Sequence, residues 1–272
     1  MNEKPVSLDD VQSVFESYET QIKEALAKII ESWPADLNEY PVPRVLGALL
    51  ARQTTLTIHV VGDLFFWNPH LGPLILRPLL ENWLKIEWLL KSPQKRACGI
   101  ARADLIGARD KLEFIISKDD PDSSKSELID LLTNEEKLFS LDAKTLMIDS
   151  RQMAKKVGGE ALNAYRRHQV WFSSCVHSTW HHIARFNLVV NPNPLHRYNF
   201  VPIWKEPDID ISFPLTAAEY CQKAFDSIQI KNADEAVSPY SVLIEDLKEM
   251  GIFKALDPDE RDESDTVDVK IR

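Results

Sequence analysis

A chain of 272 residues, 44% hydrophobic and 27% charged, is long enough to bury one large core and has the composition of an ordinary globular protein. Its formal charge of -10, with a pI near 5.2, argues against a surface that holds nucleic acid by bulk electrostatics, though a local basic cleft stays open. Only 8 glycines speak against a Gly-rich nucleotide-binding fold or an all-β sandwich, and Cys98, Cys175 and Cys221 have neither pairing nor metal-ligand spacing.

The N-terminal MNEKPVSLDD has no apolar signal core. No run is expected to supply the roughly 18 apolar residues of a membrane span. The nearest, LGPLILRPLLENWLKIEWLL, is broken by Arg77, Glu81, Asn82, Lys85 and Glu87. A cytoplasmic location and no membrane partner are expected.

Ser7, with Asp10 three residues on, gives a capping-box-like start to a first helix. Val11, Val14, Phe15, Tyr18, Ile22, Ala25, Leu26 and Ile29 follow helical spacing to Trp33-Pro34. PADLNEYPVP is a loop, and Pro43 suits the first turn of a second helix, predicted to about Phe66. The β-branched TTLTIHVVG lowers helix propensity there, but the flanking pattern stays helical. WNPHLGP is a turn. A third helix, about Leu74 to Lys91, is apolar nearly all round and reads as central, with Pro78 in its first turn or so.

Gln94 to Ser117 is a fourth helix, KDDPDSSKS an exposed loop, and Glu127 to Phe139 and Thr145 to Val157 further helices. Gly158-Gly159 suits a helix end. One long helix is then expected from about Ala161 to Val190. NPNPLHRYNFVPIWKEPDIDISFP is a long Pro- and aromatic-rich loop, irregular or carrying short strand pieces, the kind of segment that forms a functional lid or a wrap over the core. Leu215 to Lys231 and Ser238 to Met250 return to helix. The tail DPDERDESDTVDVKIR is acidic and apolar-poor, and is expected to be disordered. The reading is an all-α helical bundle: an N-terminal helix over 1–40 packed on a bundle domain over 41–256, with a disordered acidic tail over 257–272.

The richest chemistry lies in YRRHQVWFSSCVHSTWHHIARFN, residues 165–187. On one continuous helix, Ser173, His177 and His181 would share a face. A second feature is Arg77-x3-Glu81, charged residues in an otherwise apolar helix. Burying charge costs unless it is paired, so the pair is either a structural network or the wall of a polar pocket, where Arg could hold an anion and Glu act as a base. A metal set is an alternative: His177 and His181 on one helix, His59 and Asp63 on another, and Glu81 on a third. The catalytic Glu of a zincin helix is absent from HSTWH. A Ser-His hydrolase through Ser173 is disfavoured, because the chain has no GxSxG elbow or alternating βα pattern.

RPLLENWLKIEWLL, followed some ninety residues later by WFSSCVHSTW, resembles a bacterial family of helical proteins of unknown function that carries R-x3-E and S-x3-H motifs. The resemblance covers roughly Arg44 to Lys231 and places Arg77 and Glu81 in the first motif, Ser173 and His177 in the second. That family is similar to HEPN-like and abortive-infection proteins. The similarity implies a helical bundle, RNA cleavage and a role in defence or stress. Arg52-x6-His59 fits the R-x4-6-H signature of HEPN ribonucleases, with Gln53 where a polar Asn, Asp or His usually follows the Arg.

These features lead to an expected HEPN-like, RNA-directed protein, a metal-independent endoribonuclease without cofactor. Arg77 would hold phosphate, His177 would act as general acid or base, and Glu81 would orient either. Ser173, Arg52 and His59 are secondary candidates. Two alternatives remain: an interaction or sensor module with a structural Arg-Glu-His network, and a bundle metalloprotein. Expected partners are RNA, a protein docking on the Pro194–Pro214 loop, or a second copy of the chain as a homodimer.

Overall fold

The computed structural model describes residues 6–116, 123–138, 148–193, 195, 199–204, 208–229 and 238–252. The acidic tail, most of KDDPDSSKS, Phe139, residues 145–147, Lys231 and parts of the Pro194–Pro214 segment lie outside the described residues.

α1 (Leu8–Glu31) opens on the capping box expected of Ser7 and Asp10, each bonding the other's backbone amide at 3.2 Å. Its apolar stripe, Val11, Phe15, Tyr18 and Ile22, is buried in the same core as the later helices. α2 (Val42–Gly62) stays helical through its β-branched stretch because Thr57, Val60 and Val61 are buried there. Burial outweighs their weak propensity. The helix stops short of Phe66: Asp63 takes an extended conformation and starts a separate short turn, Leu64–Phe66.

By length and composition α2, rather than the third helix, is apolar enough to cross a membrane, with a hydropathy of 1.2. Half of that stretch is buried inside the protein, where α2 packs against α1 and three later helices.

α3 (Gly72–Leu90) is the central helix. Gly72 is required where α3 begins, since a Cβ there would lie 2.3 Å from the Phe213 ring. Pro78 falls in the second turn rather than the first and removes the amide that would bond the Leu74 carbonyl. Both residues reach the surface, where water can serve that carbonyl.

α4 (Pro93–Ile116) and α5 (Ser123–Leu138) pack on each other, and α6 (Ser150–Val157) leads through Gly158 and Gly159 into α7 (Gly159–Val176). Both glycines have positive φ, 77° and 52°, as a helix-to-helix corner demands.

The expected single helix over 161–190 is broken. α7 ends at Val176, His177 is its C-cap and Ser178 turns at φ 47°. α8 (Trp180–Asn187) starts a new direction. The reason is local: the Ser178 and Thr179 amides bond back to Cys175 and Ser174 at 3.0 Å, and the Ser174 and Thr179 hydroxyls bond each other. β1 (Leu188–Val190) follows at once and pairs antiparallel with β2 (Phe200–Pro202), Val190 opposite Phe200. α9 (Ser212–Gln229) and α10 (Pro239–Glu249) complete the all-α fold.

Four helices set the core. α9 runs parallel to α3, with Trp83 stacked on Tyr220 at 5.8 Å and Ser227 donating to Glu87 at 2.6 Å. α2 runs antiparallel to α9, with the Thr57 hydroxyl donating to the Ala217 carbonyl at 3.4 Å. Asn82 joins α3 to α2, donating to the Leu49 carbonyl and to Gln53 Oε1, both at 2.8 Å. α7 lies antiparallel to α3, so the start of α3 meets the end of α7. All three cysteines are buried and unpaired.

Candidate functional site

That antiparallel pairing is what brings Arg77 to His177, 100 residues away in the chain. Arg77 Nε donates to Glu81 Oε1 at 3.2 Å, one turn along α3. Arg77 Nη1 lies 3.3 Å from His177 Nε2. A guanidinium cannot accept a hydrogen bond, so the imidazole must accept through Nε2 and carry its proton on Nδ1. The end of α7 also presents the negative pole of its backbone dipole to the guanidinium. The cluster is not sealed: the Arg77 and Glu81 side chains keep 26% and 30% of their surface and His177 is exposed.

α7 offers α3 a stripe of polar residues at four-residue spacing: Tyr165, Gln169, Ser173 and His177. Gln169 Nε2 donates to Ser173 Oγ at 3.2 Å, so that hydroxyl is held by an amide within its own helix. Gln169 Oε1 is buried with no partner. Tyr165 feels the opposed charges of the cluster. Burial raises its phenol, Arg151 lowers it, Asp149 and Glu81 raise it, and Arg77 lowers it. Tyr165 and Gln169 were not among the residues expected from sequence. The signal that finds them is the backward extension of the Ser173-His177 spacing along α7.

Other candidates lie elsewhere. His181 is on α8, beyond the turn, and no longer shares a helical face with Ser173 and His177. Arg52 and His59 stay on the exposed side of α2. Gln53, which follows Arg52, is fully buried on Asn82 and so has a packing role. Asp63 caps the turn after α2, accepting from the Phe65 amide at 2.9 Å, and does not project beside His59 on the helix. Among the described residues no three of His, Cys, Asp and Glu come close enough to hold a metal. The set His59, Asp63, Glu81, His177 and His181 is therefore not assembled. Burial pushes the Cys221 thiol up to about 12, which makes it a poor nucleophile.

A second imidazole pair ties α8 to the loop before α3. His70 Nδ1 lies 3.3 Å from His182 Nε2, and Cys175 Sγ donates to the His70 carbonyl at 3.1 Å. His182 is buried, and that burial, helped by His70, His181 and Arg185, lowers its pKa. His168, paired with the Tyr220 hydroxyl, is lowered chiefly by burial too.

Both histidines therefore favour the neutral form in the folded state. Below about pH 6.5 the unfolded chain takes up protons that the folded chain refuses, so stability falls as pH drops through that range and levels off once the folded histidines also titrate. Urea melts between pH 7.5 and 5 should show this loss, and His168→Gln with His182→Gln should flatten it. An unchanged slope in the double variant would assign the loss to other groups.

A model of a family of unknown function (DUF5677) matches residues 44–193, just over half of the chain. No curated protein and no solved structure matches. The matched span holds Arg77, Glu81, Ser173 and His177 together with the stripe on α7.

Proposed function

Because the chain belongs to the family of unknown function DUF5677, which supplies no reaction, we propose one from the site itself: HEPN-like, metal-independent cleavage of RNA at the Arg77–His177 pair. The observation that carries it is the Arg77 guanidinium set 3.3 Å from the His177 imidazole in a position open to solvent.

The two groups supply the two things an RNA phosphodiester needs. Arg77 binds a non-bridging phosphate oxygen, and its charge opposes the negative charge that grows on the pentacoordinate phosphorus. That contact draws the guanidinium N–H away from His177 and frees Nε2. His177 Nε2 then takes the proton of the adjacent 2′-hydroxyl. The 2′-oxygen forms a bond to phosphorus, the bond to the 5′-oxygen breaks, and the proton held by the imidazolium passes to that leaving oxygen. The products are a 2′,3′-cyclic phosphate and a 5′-hydroxyl. Glu81 engages Arg77 through Nε, leaving Nη2, and Nη1 once it has left His177, for phosphate, and so positions the guanidinium.

The test is product chemistry. Purified protein in excess EDTA should cut single-stranded RNA to ends bearing 2′,3′-cyclic phosphate and 5′-hydroxyl. A substrate with one 2′-deoxy nucleotide at the scissile position should resist. No cleavage, or equal cleavage of the deoxy substrate, overturns the proposal.

A further inference from the structure

The chain carries 42 acidic residues, yet none falls between 161 and 205. An even spread would put about seven in that stretch. The same stretch holds Arg166, Arg167, Arg185, Arg197, Lys205 and five of the seven histidines. A protein of charge -10 thus places no acid in the sequence of the segment that contains His177 and runs on through α8 and the hairpin.

The described part of that segment also leaves large rings in water. Trp180 is 72% exposed and stands three residues after His177. On α8, His182 and Phe186 turn inward against His70, while His181 and Arg185, one turn apart, are exposed. Across β2 and its extension, Val201 and Ile203 are half-buried while Phe200, Pro202 and Trp204 are exposed. This alternation of period two puts Phe200 (58%) and Trp204 (90%) on one side. They stand about 13 Å apart along the strand direction. The Ile203 amide bonds the Asn187 carbonyl at 2.9 Å, which fixes Trp204 next to the end of α8.

Exposed flat rings interleaved with cations, on a stretch of chain that contributes no acids, fit one kind of occupant best. Such a surface suits a polyanion whose bases are unpaired and able to stack. A duplex hides its base faces and would use the cations alone. We infer that α8 and the β1–β2 hairpin form the strand-binding face of the site, on which single-stranded RNA stacks its bases on Trp180 and Trp204 and lays its phosphates along His181 and Arg185 toward Arg77. The inference rests on the RNA-directed reading above and extends it to a substrate form, single-stranded, and to residues outside the reacting cluster.

Binding of a fluorescein-labelled 2′-O-methyl oligoribonucleotide, which has no 2′-hydroxyl to react, tests this on the full chain by anisotropy. The single strand should bind at least tenfold more tightly than the same sequence as a duplex. Trp180→Ala and Trp204→Ala should each weaken it about tenfold, and Trp180→Phe should largely restore it. Arg185→Glu should weaken it further and reduce the salt slope. Circular dichroism melts should match wild type throughout. Binding with this pattern but without cleavage of ordinary RNA would leave the face standing and remove only the reaction. Cleavage with unchanged affinity in both Trp variants would overturn the face. So would a change of oligomeric state in Trp204→Ala with RNA affinity intact, which would assign the rings to a contact between copies.

Discussion

His177→Ala should slow RNA cleavage by about 10²–10⁴-fold, the usual worth of a positioned acid–base group, while leaving the melting temperature within a degree or two of wild type. The two halves of this expectation separate catalysis from architecture. A buried Arg-Glu-His network would lose several kcal/mol on truncation because a charge would be left stranded. Here the imidazole is exposed and the guanidinium and carboxylate are only partly covered, so water takes over when a partner goes. A solvent-screened pair of this kind contributes a few tenths of a kcal/mol. Arg77→Ala should behave alike, and Arg77→Lys should rescue little, since an ammonium cannot hold Glu81 and a phosphate through one planar fork. The check is a paired measurement of cleavage rate and thermal melt on the same preparations. A large drop in melting temperature with His177→Ala would mark the cluster as structural.

Trp83→Ala should show the opposite balance, with a loss of about 3–5 kcal/mol of stability and inactivity following from it. Trp83 is 2% exposed, stacks on Tyr220 and carries the Lys223 ammonium 5.2 Å above its ring. It joins α3 to α9, and α3 presents Arg77 to the end of α7. Trp83→Phe should cost far less, and the contrast is informative. The indole N–H is buried without a partner, so the smaller ring gives up volume but also removes an unsatisfied donor, whose burial costs on the order of 1–3 kcal/mol. Urea denaturation of the two variants would read this directly. Equal losses would mean that the N–H is satisfied.

The helical architecture was legible because it depends on local signals. Ser7 and Asp10 cap α1, Pro43 opens α2, Gly158 and Gly159 close α6, and Ser238 caps α10. Each acts within one turn of chain. Arg77 and Glu81 stood out for a related reason, as charges in an apolar helix. What the sequence concealed depends on direction. The break after Val176 rests on a short run of Ser and Thr whose hydroxyls bond each other, and apolar spacing continues across it. Apolar spacing alone therefore joins His181 to Ser173 and His177, and the turn at Ser178 separates it from them. Tyr165 and Gln169 were hidden because a tyrosine or glutamine on a helix acquires meaning only once the facing helix is known. The β1–β2 pairing lay in a segment whose prolines and asparagines read equally well as loop.

The antiparallel meeting of α3 and α7 also sets the moment at which the Arg77–His177 pair can form. A chain growing on the ribosome carries Arg77 and Glu81 while His177 is still 100 residues from being made. α7 seats first on α3, and α9 then adds Phe213 and Tyr220, against which Trp171 and His168 pack. On the proposed RNA-cleaving reading, a nascent chain therefore lacks the reacting pair until synthesis has passed His177 and α7 has folded back onto α3.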